Sequence, residues 1–310
     1  MAEVTIAMNI YNGMPYLPEA VDSVRKQTLQ DIEIILVNDG STDGSRDYLE
    51  SLTDSRIRVF HQENSGTALS SNLAIEHCRT PFLMRMDADD ISLPNRAKVQ
   101  LDFMKQNPEL GMAGTQAAWL GPSAVGKSIK LPTTHDAIWK ALIEGHHAMV
   151  HATLMMRIEV IRKIGGYWKI PKLDDDTDMM LRMGETANLA NIDQTLYHYR
   201  ILQGSLSGAG MKRMRFSYDY SIELSRRRLA GLPSLTPEQY SEHRNARPVW
   251  VRWNEPIDIH ARNQYRVATE EIFSGKQIRG RMRLAWAAIC SPKLTLQRIK
   301  RMVRKVPPHA

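Results

Sequence analysis

Ile32-Glu33-Ile34-Ile35-Leu36-Val37 runs without a break into Asn38-Asp39-Gly40-Ser41-Thr42-Asp43-Gly44. The first half is a nearly continuous aliphatic, β-branched run, the pattern of a strand buried on both faces of a parallel sheet. The second half is a dense turn signal. Toward the N-terminus, Val4 to Met8 reads as a first short strand, and Leu17, Ala20, Val21 and Val24 recur at helical spacing. In the other direction, Tyr48, Leu49 and Leu52 suggest a second helix, Ile57 to Phe60 a third strand and Thr67 to His77 a third helix. Phe82-Leu83-Met84-Arg85-Met86 is a fourth strand and leads into Asp87-Ala88-Asp89-Asp90. This alternation predicts an α/β domain with a doubly wound, Rossmann-like, mostly parallel sheet flanked by helices. Sheets of that kind bind ligands beyond the carboxyl ends of their strands. The acidic groups at Asp39 and Asp87 fall at two such ends.

Beyond this core, Gly111 to Arg200 mixes short strands with a helix near Asp176 to Met183, and the chain turns helical and polar after Met211. The expected organisation is therefore a main domain over 1–210 and a helical C-terminal extension with a basic tail over 211–310. Gly231 to Pro256 receives no assignment. With 43% hydrophobic and 24% charged residues the composition is that of an ordinary soluble globular protein, and disorder is not the default reading. Cys78 and Cys290 make no disulfide framework, the N-terminus lacks a signal peptide pattern, and no apolar run reaches the ~18 residues of a membrane span. A cytoplasmic location is expected.

The net charge of +7 resides in the tail: no acidic residue follows Glu271, whereas Lys276, Arg279, Arg281, Arg283, Lys293, Arg298, Lys300, Arg301, Arg304 and Lys305 do. A nucleic-acid surface spread over the protein does not fit this distribution. Within 294–306, Leu296, Ile299, Val303 and Val306 share one helical face and the basic residues take the others. Such a helix suits an anionic membrane surface and a peripheral position on the inner face of the cell membrane. The plainer alternative is a solvated helix packed on its own domain.

Three clusters offer chemistry. Asp87, Asp89 and Asp90 place three carboxylates in four residues, a grouping that repels itself unless a cation or a basic group offsets it. Hard cations such as Mg2+ or Mn2+ take one or two carboxylates together with substrate phosphates. An acidic loop of helix-capping aspartates is the competing reading. Asp39 to Gly44 is either a turn and N-cap or a base- or ribose-binding loop. Asp174-Asp175-Asp176-Thr177-Asp178 either complements a helix dipole or supplies a general base. His146, His147 and His151 lack the partners that a zinc site requires.

Taken in order, Tyr11-Asn12-Gly13, Asn38-Asp39-Gly40-Ser41-Thr42-Asp43, Asn64-Ser65-Gly66, Asp87-Ala88-Asp89-Asp90, His151, Ile164-Gly165-Gly166-Tyr167, Asp175-Asp176-Thr177-Asp178, Leu181-Arg182, Tyr199-Arg200 and Ser205-Leu206-Ser207 resemble the inverting family-2 glycosyltransferases of GT-A fold. The resemblance implies a metal-dependent enzyme that moves a sugar from a nucleotide diphosphate donor, UDP first, to a saccharide or lipid-linked saccharide hydroxyl. It implies donor contacts from Tyr11, Asn12, Asp39, Asn64, Gly66, Arg85, Asp87, Ala88 and Arg200. Asp39 would accept from uracil or thymine, and Asp87 would approach the ribose. Asp89, with Asp87, would hold Mn2+ or Mg2+. Asp176 would be the catalytic base, supported by Asp175, and His151 and Tyr167 would face the acceptor. Asn9, Asn38, Asp175 and Thr177 depart from the family's usual proline, aspartate, glutamate and aromatic residue. No Gln-x-x-Arg-Trp motif is present, so a processive synthase is not expected. A sugar nucleotidyltransferase and a non-catalytic, membrane-attached scaffold are the alternatives.

Overall fold

The structure is a computed structural model that describes residues 2–121, 124–168, 176–200, 211–273, 275–292 and 295–296. The first half is built as β1 (Val4–Ile10), α1 (Leu17–Arg25), β2 (Ile32–Asp39), α2 (Ser45–Glu50), β3 (Ile57–Gln62), α3 (Thr67–His77) and β4 (Phe82–Asp87). There follow β5 (Ile91–Ser92), α4 (Arg96–Gln106), β6 (Leu110–Leu120), β7 (Val125–Ile129), α5 (His135–Ile143), a 3-10 turn (His151–Thr153), β8 (Met155–Arg157), α6 (Ile158–Lys163), α7 (Asp176–Thr186) and β9 (Asn188–Arg200). Helices α8 (Met211–Leu229), α9 (Pro237–Asn245), α10 (Val249–Phe273) and α11 (Gln277–Cys290) complete the described elements.

The strands join in the order β3-β2-β1-β4-β8-β6-β9-β5, with β7 added to β6. β1, β2, β3 and β4 run parallel. β8 is antiparallel to both β4 and β6, which returns β6 and its parallel neighbour β9 to the direction of β4. The result is the expected α/β sheet between helices, mixed in its second half.

Alternation along the strands divides the core in two, because successive side chains point to opposite faces. Ile6, Met8, Ile34, Leu36, Met84 and Met86 pack with Leu17 and Val21 of α1 and Leu101 and Met104 of α4. Ala7, Ile35, Val37 and Leu83 pack on the other face with Ile75 of α3, Ile138 of α5 and Met179 and Met183 of α7. Each fully buried aliphatic side chain contributes about 2 kcal/mol, so β2, buried at every position but Glu33, is a central anchor of the domain.

Two compact units emerge. One comprises 1–120, 124–200 and 217–232 and holds the sheet; the other comprises 121–123, 201–216 and 233–310. Within the second, α11 packs on α10 through Ala261, Tyr265 and Ala287, with Leu284 and Cys290 beside them. Gly280 permits the approach: a Cβ there would lie 2.8 Å from the carbonyl oxygen of Ala268.

The unassigned stretch 231–256 holds α9 and the start of α10. Its signal was present in the sequence as a capping box: Thr236 Oγ1 accepts from the Gln239 amide at 3.2 Å, and Gln239 Oε1 accepts from the Thr236 amide at 2.9 Å. Of the expected amphipathic segment 294–306, only Thr295 and Leu296 lie among the described residues. Among these residues no helix is long and apolar enough to cross a membrane.

Candidate active site at the carboxyl edge of the sheet

Strand register brings the acidic clusters to one edge. Asn9 pairs with both Val37 and Asp87, Ile10 with Asn38, and Asp39 with Gln62. Tyr11-Asn12, Asp39, Asn64-Gly66 and Asp87-Asp90 therefore leave the sheet side by side. The edge is stitched by side chain to backbone bonds. Asn12 Oδ1 accepts from the Thr42 amide at 2.8 Å, and Ser41 Oγ accepts from the Asn12 amide at 3.0 Å. Asp43 accepts from the Met14 amide at 2.8 Å with one oxygen, and from Ser45 Oγ at 2.6 Å and the Ser45 amide at 3.1 Å with the other. Asp43 thus makes a turn onto Ser45, the first residue of α2, whose N-cap position is Gly44 with no side-chain cap bond. Tyr11 stands half-exposed above this loop, with 51% of its surface open.

Asp39 is buried, and both its oxygens are engaged. Oδ1 accepts from Gln62 Nε2 at 2.6 Å and the Ser65 amide at 2.8 Å, and Oδ2 accepts from the Gly66 amide at 2.9 Å. Its first task is to hold the Asn64-Ser65-Gly66 loop. Asn38 beside it accepts from the Ser41 amide at 3.1 Å and meets His61 Nδ1 at 3.1 Å.

The acidic cluster after β4 rests on buried guanidinium groups. Arg85 forms an ion pair with Asp87. Arg96, fully buried, donates to the carbonyl oxygens of Arg85 at 2.7 Å and Ala152 at 3.0 Å and lies 4.9 Å above the Tyr197 ring. Tyr197 Oη accepts from the Asp87 amide at 3.2 Å. Burial and the neighbouring charge of Asp87 push the Asp89 carboxyl up to about 6, and burial with Asp87 and Asp89 raises Asp90 well above the usual carboxylate range. Burial alone would ionise none of these groups easily; a positive charge beside them favours the carboxylate form.

Arg200, at the end of β9, closes the cluster. Its amide donates to Asp90 Oδ1 at 2.7 Å, and its guanidinium donates to the Asp89 carbonyl oxygen at 2.6 Å and to Glu19 at 2.6 Å, over the Tyr16 ring. Among the described residues no three His, Cys, Asp or Glu side chains form a closed cation cage. An open set of one or two carboxylates is the arrangement that Mg2+ or Mn2+ shares with diphosphate oxygens.

Asp176 is the first residue of α7, which leads into β9. Asp176 Oδ1 accepts from the Thr177 amide at 2.7 Å. Of the neighbouring carboxylates, Asp178 is buried and bound to Arg182 at 2.6 Å, with Arg228 at 3.5 Å, which makes it a structural anion. Asp175 lies outside the described residues. His151 and Tyr167 do meet, Nε2 to Oη at 2.7 Å. Burial and the charge of Arg85 hold the His151 ring well below its ordinary value of 6.5, hence neutral. Asn72 fixes Tyr167 through both backbone groups, at 2.8 and 3.0 Å. A small cleft between Asn9, Ser71, Arg85 and Tyr167 adjoins this pair.

Sequence reasoning missed Arg96, Tyr197 and Glu19. Arg96 was the most accessible of the three, since it opens the face Arg96, Ala97, Gln100, Leu101, Met104 that is otherwise suited to burial.

Residues 5–165 match the family model described as Glycosyl transferase family 2. The chain is similar to the O-antigen biosynthesis glycosyltransferase WbnJ of Escherichia coli, at 30% identity over 205 residues, covering 64% of this chain and 79% of that protein. Among solved structures it is similar to S. aureus TarS 1-349 in complex with UDP-GlcNAc, with a TM-score of 0.61 at 15% identity over 86% of this chain and 72% of that one. It is likewise similar to the mannosyltransferase PcManGT from Pyrobaculum calidifontis in complex with GDP-Man and Mn2+, with a TM-score of 0.54 at 15% identity over 99% and 81%. At these identities the two structures speak for the fold. Together with a sheet edge built of the Asp39 and Asp87–Asp90 loops, the family match makes the chain a glycosyltransferase of family 2 with the GT-A fold.

Proposed function

We propose that the enzyme transfers a sugar from a UDP-sugar to a hydroxyl of a saccharide or lipid-linked saccharide, with inversion at the anomeric carbon, in the synthesis of a cell-surface polysaccharide or glycolipid. The observation that carries this reading is the meeting of the Asp39 loop, the Asp87–Asp90 loop and Arg200 at one edge of one sheet. The relative WbnJ is named for O-antigen biosynthesis, and the structural neighbour TarS holds UDP-GlcNAc, which supports the acceptor class and the nucleotide.

In this reading Tyr11, Asn12 and the loop Asn64-Gly66 line the nucleoside site, and Asp39 orders that loop while its remaining lone pair faces the base. Arg85 and Ala88 shape the floor beneath the donor, and Asp87 approaches the ribose. Asp89, with Asp87, would hold Mn2+ or Mg2+; the raised Asp89 carboxyl fits this, because a nearby cation stabilises its ionised form. When bound, such an ion offsets the charge that builds on the leaving diphosphate. Arg200 pins the loop that carries Asp89 and adds positive charge at its rim. Asp176, supported by Asp175, takes the proton of the acceptor hydroxyl, and that oxygen attacks the anomeric carbon from the face opposite the phosphate. His151 and Tyr167 border the acceptor side. The catalytic domain spans 1–210, and 211–310 is its extension. The work is done in the cytoplasm, with 294–306 resting on the anionic inner membrane surface.

The test is release of UDP from a panel of UDP-sugars with and without EDTA, for the wild type and Asp176→Asn. Loss of a general base typically costs about 10²–10⁴-fold in turnover. The variant should show that loss and still bind UDP with Mn2+ in a calorimetric titration. Wild-type turnover in Asp176→Asn, or release indifferent to EDTA, would overturn the reading.

A further inference from the structure

Helix α11 turns a row of large apolar side chains to the outside. Ile278 is 78% exposed, Ile289 70%, Met282 68% and Trp286 52%, so this one helix carries four of the thirteen exposed large apolar side chains among the described residues. At about 100° per residue, these four and Ala285 fall within an arc of about 100° on the helix. The opposite side, Gly280, Leu284 and Ala287, is the one packed on α10. The exposed row is therefore no by-product of a loose helix: α11 has its own core contact and carries a second apolar face beyond it.

On α11 itself the residues beside that face are basic. Arg281 and Arg279, both exposed, stand on its two flanks, and exposed Lys276 precedes the helix. Arg283 is taken up by α10, through Glu271 at 3.0 Å and Gln264 at 2.8 Å. No acidic residue follows Glu271 anywhere in the chain. Trp286 keeps its indole N–H satisfied by His260 at 3.2 Å, which leaves the ring free to lie against an apolar medium. An apolar stripe bordered by cations and carrying a tryptophan is the composition that partitions into the boundary between headgroups and acyl chains of an anionic bilayer.

We propose that α11 is a membrane-surface helix: Ile278, Met282, Trp286 and Ile289 enter the interface of an anionic bilayer while Arg279, Arg281 and Lys276 pair with lipid phosphates. This docking face is distinct from the segment 294–306 and independent of the reaction assigned above. Charge complementarity selects lipid as the occupant. A second copy of this chain would set the same basic flanks against each other, and like charges in contact are unfavourable.

The full-length chain would be sedimented with vesicles of phosphatidylcholine and phosphatidylglycerol, and with vesicles of phosphatidylcholine alone. The wild type should bind the anionic vesicles more strongly. The triple variant Ile278→Ser, Met282→Ser, Ile289→Ser should bind them at least about tenfold more weakly. The variant removes only exposed side chains, so its circular dichroism and UDP release in solution should match the wild type. A second variant, with Lys300, Arg301, Arg304 and Lys305 all changed to Gln, separates the tail from the face. The proposal fails if the triple variant binds like the wild type, if only the tail variant loses binding, or if the wild type ignores both kinds of vesicle. It fails equally if light scattering without lipid shows a dimer that the triple variant splits, since the face would then belong to a second copy.

Discussion

Asp39→Asn separates two tasks that meet on one carboxylate. The side chain is 4% exposed and accepts three hydrogen bonds, from Gln62 and Ser65 on one oxygen and from Gly66 on the other. Asparagine keeps the shape but offers one oxygen and one NH2. If the oxygen stays with Gln62 and Ser65, the NH2 faces the Gly66 amide, donor to donor; the opposite rotamer sets it against two donors. The better choice loses one charge-assisted bond, weakens two others to neutral bonds and strands a donor. At about 1.5–3 kcal/mol for a bond to a charged group and about 1–3 kcal/mol for an unsatisfied buried donor, the cost is about 3–6 kcal/mol. For a domain of this size that is a fall of roughly 6–24 °C in the melting midpoint.

Differential scanning calorimetry without nucleotide should show that fall, and amide exchange at Ser65 and Gly66 should accelerate. UDP binding should weaken with it, because the loop that borders the nucleoside site has lost its tie. A variant that melts within about 1 °C of the wild type would refute the reasoning, since a residue that only contacts the base adds nothing to the stability of the free enzyme.

Gly166 sits at φ +72°, and a Cβ there would run into Asn72 Oδ1, so Gly166→Ala should cost about 2–3 kcal/mol in urea unfolding and disturb Tyr167, which Asn72 holds. The buried, neutral His151 makes stability depend on pH in a defined direction. Its folded value lies below the unfolded 6.5, so the unfolded chain takes up a proton that the folded one refuses, and stability falls as pH drops below 6.5. His151→Gln should flatten that fall, seen by urea unfolding on either side of pH 6.5; a residual slope is expected from His198, which burial also lowers. An unchanged slope in His151→Gln would contradict the buried assignment.

Much of the first half of the fold was legible because its signals are local. The strand at Ile32 is written in a run of branched side chains, and Thr67–His77 is a helix with the very bounds its pattern suggested. β1 and β3 each reach two residues further than their apolar runs. Asn9 and Ile10 pair with β2, and His61 and Gln62 do the same, so the ends of these strands are set by a partner and not by composition. The helix pattern near Asp176 ran on to Thr186, past the polar Gly184 and Glu185 that obscured it. In 231–256, prolines hid two helix segments although Thr236 and Gln239 announced one of them.

By itself the sequence determined that strands end in acidic loops, and that such loops gather at one edge, because turn chemistry and hydrophobic period are properties of neighbouring residues. It could not tell the four aspartates Asp174, Asp175, Asp176 and Asp178 apart. Tertiary structure decided that Asp178 is consumed by Arg182 and by Arg228, fifty positions along the chain. It decided also that Asp39 is engaged in ordering a loop, and that Arg85 and Arg96 lie beneath the carboxylates after β4. The same holds for α11, where only packing on α10 revealed which apolar face was left outside. The physical reason is common to all of these: whether a charge is paired or an apolar side chain covered depends on groups distant in sequence, and their meeting is settled by strand register and helix packing.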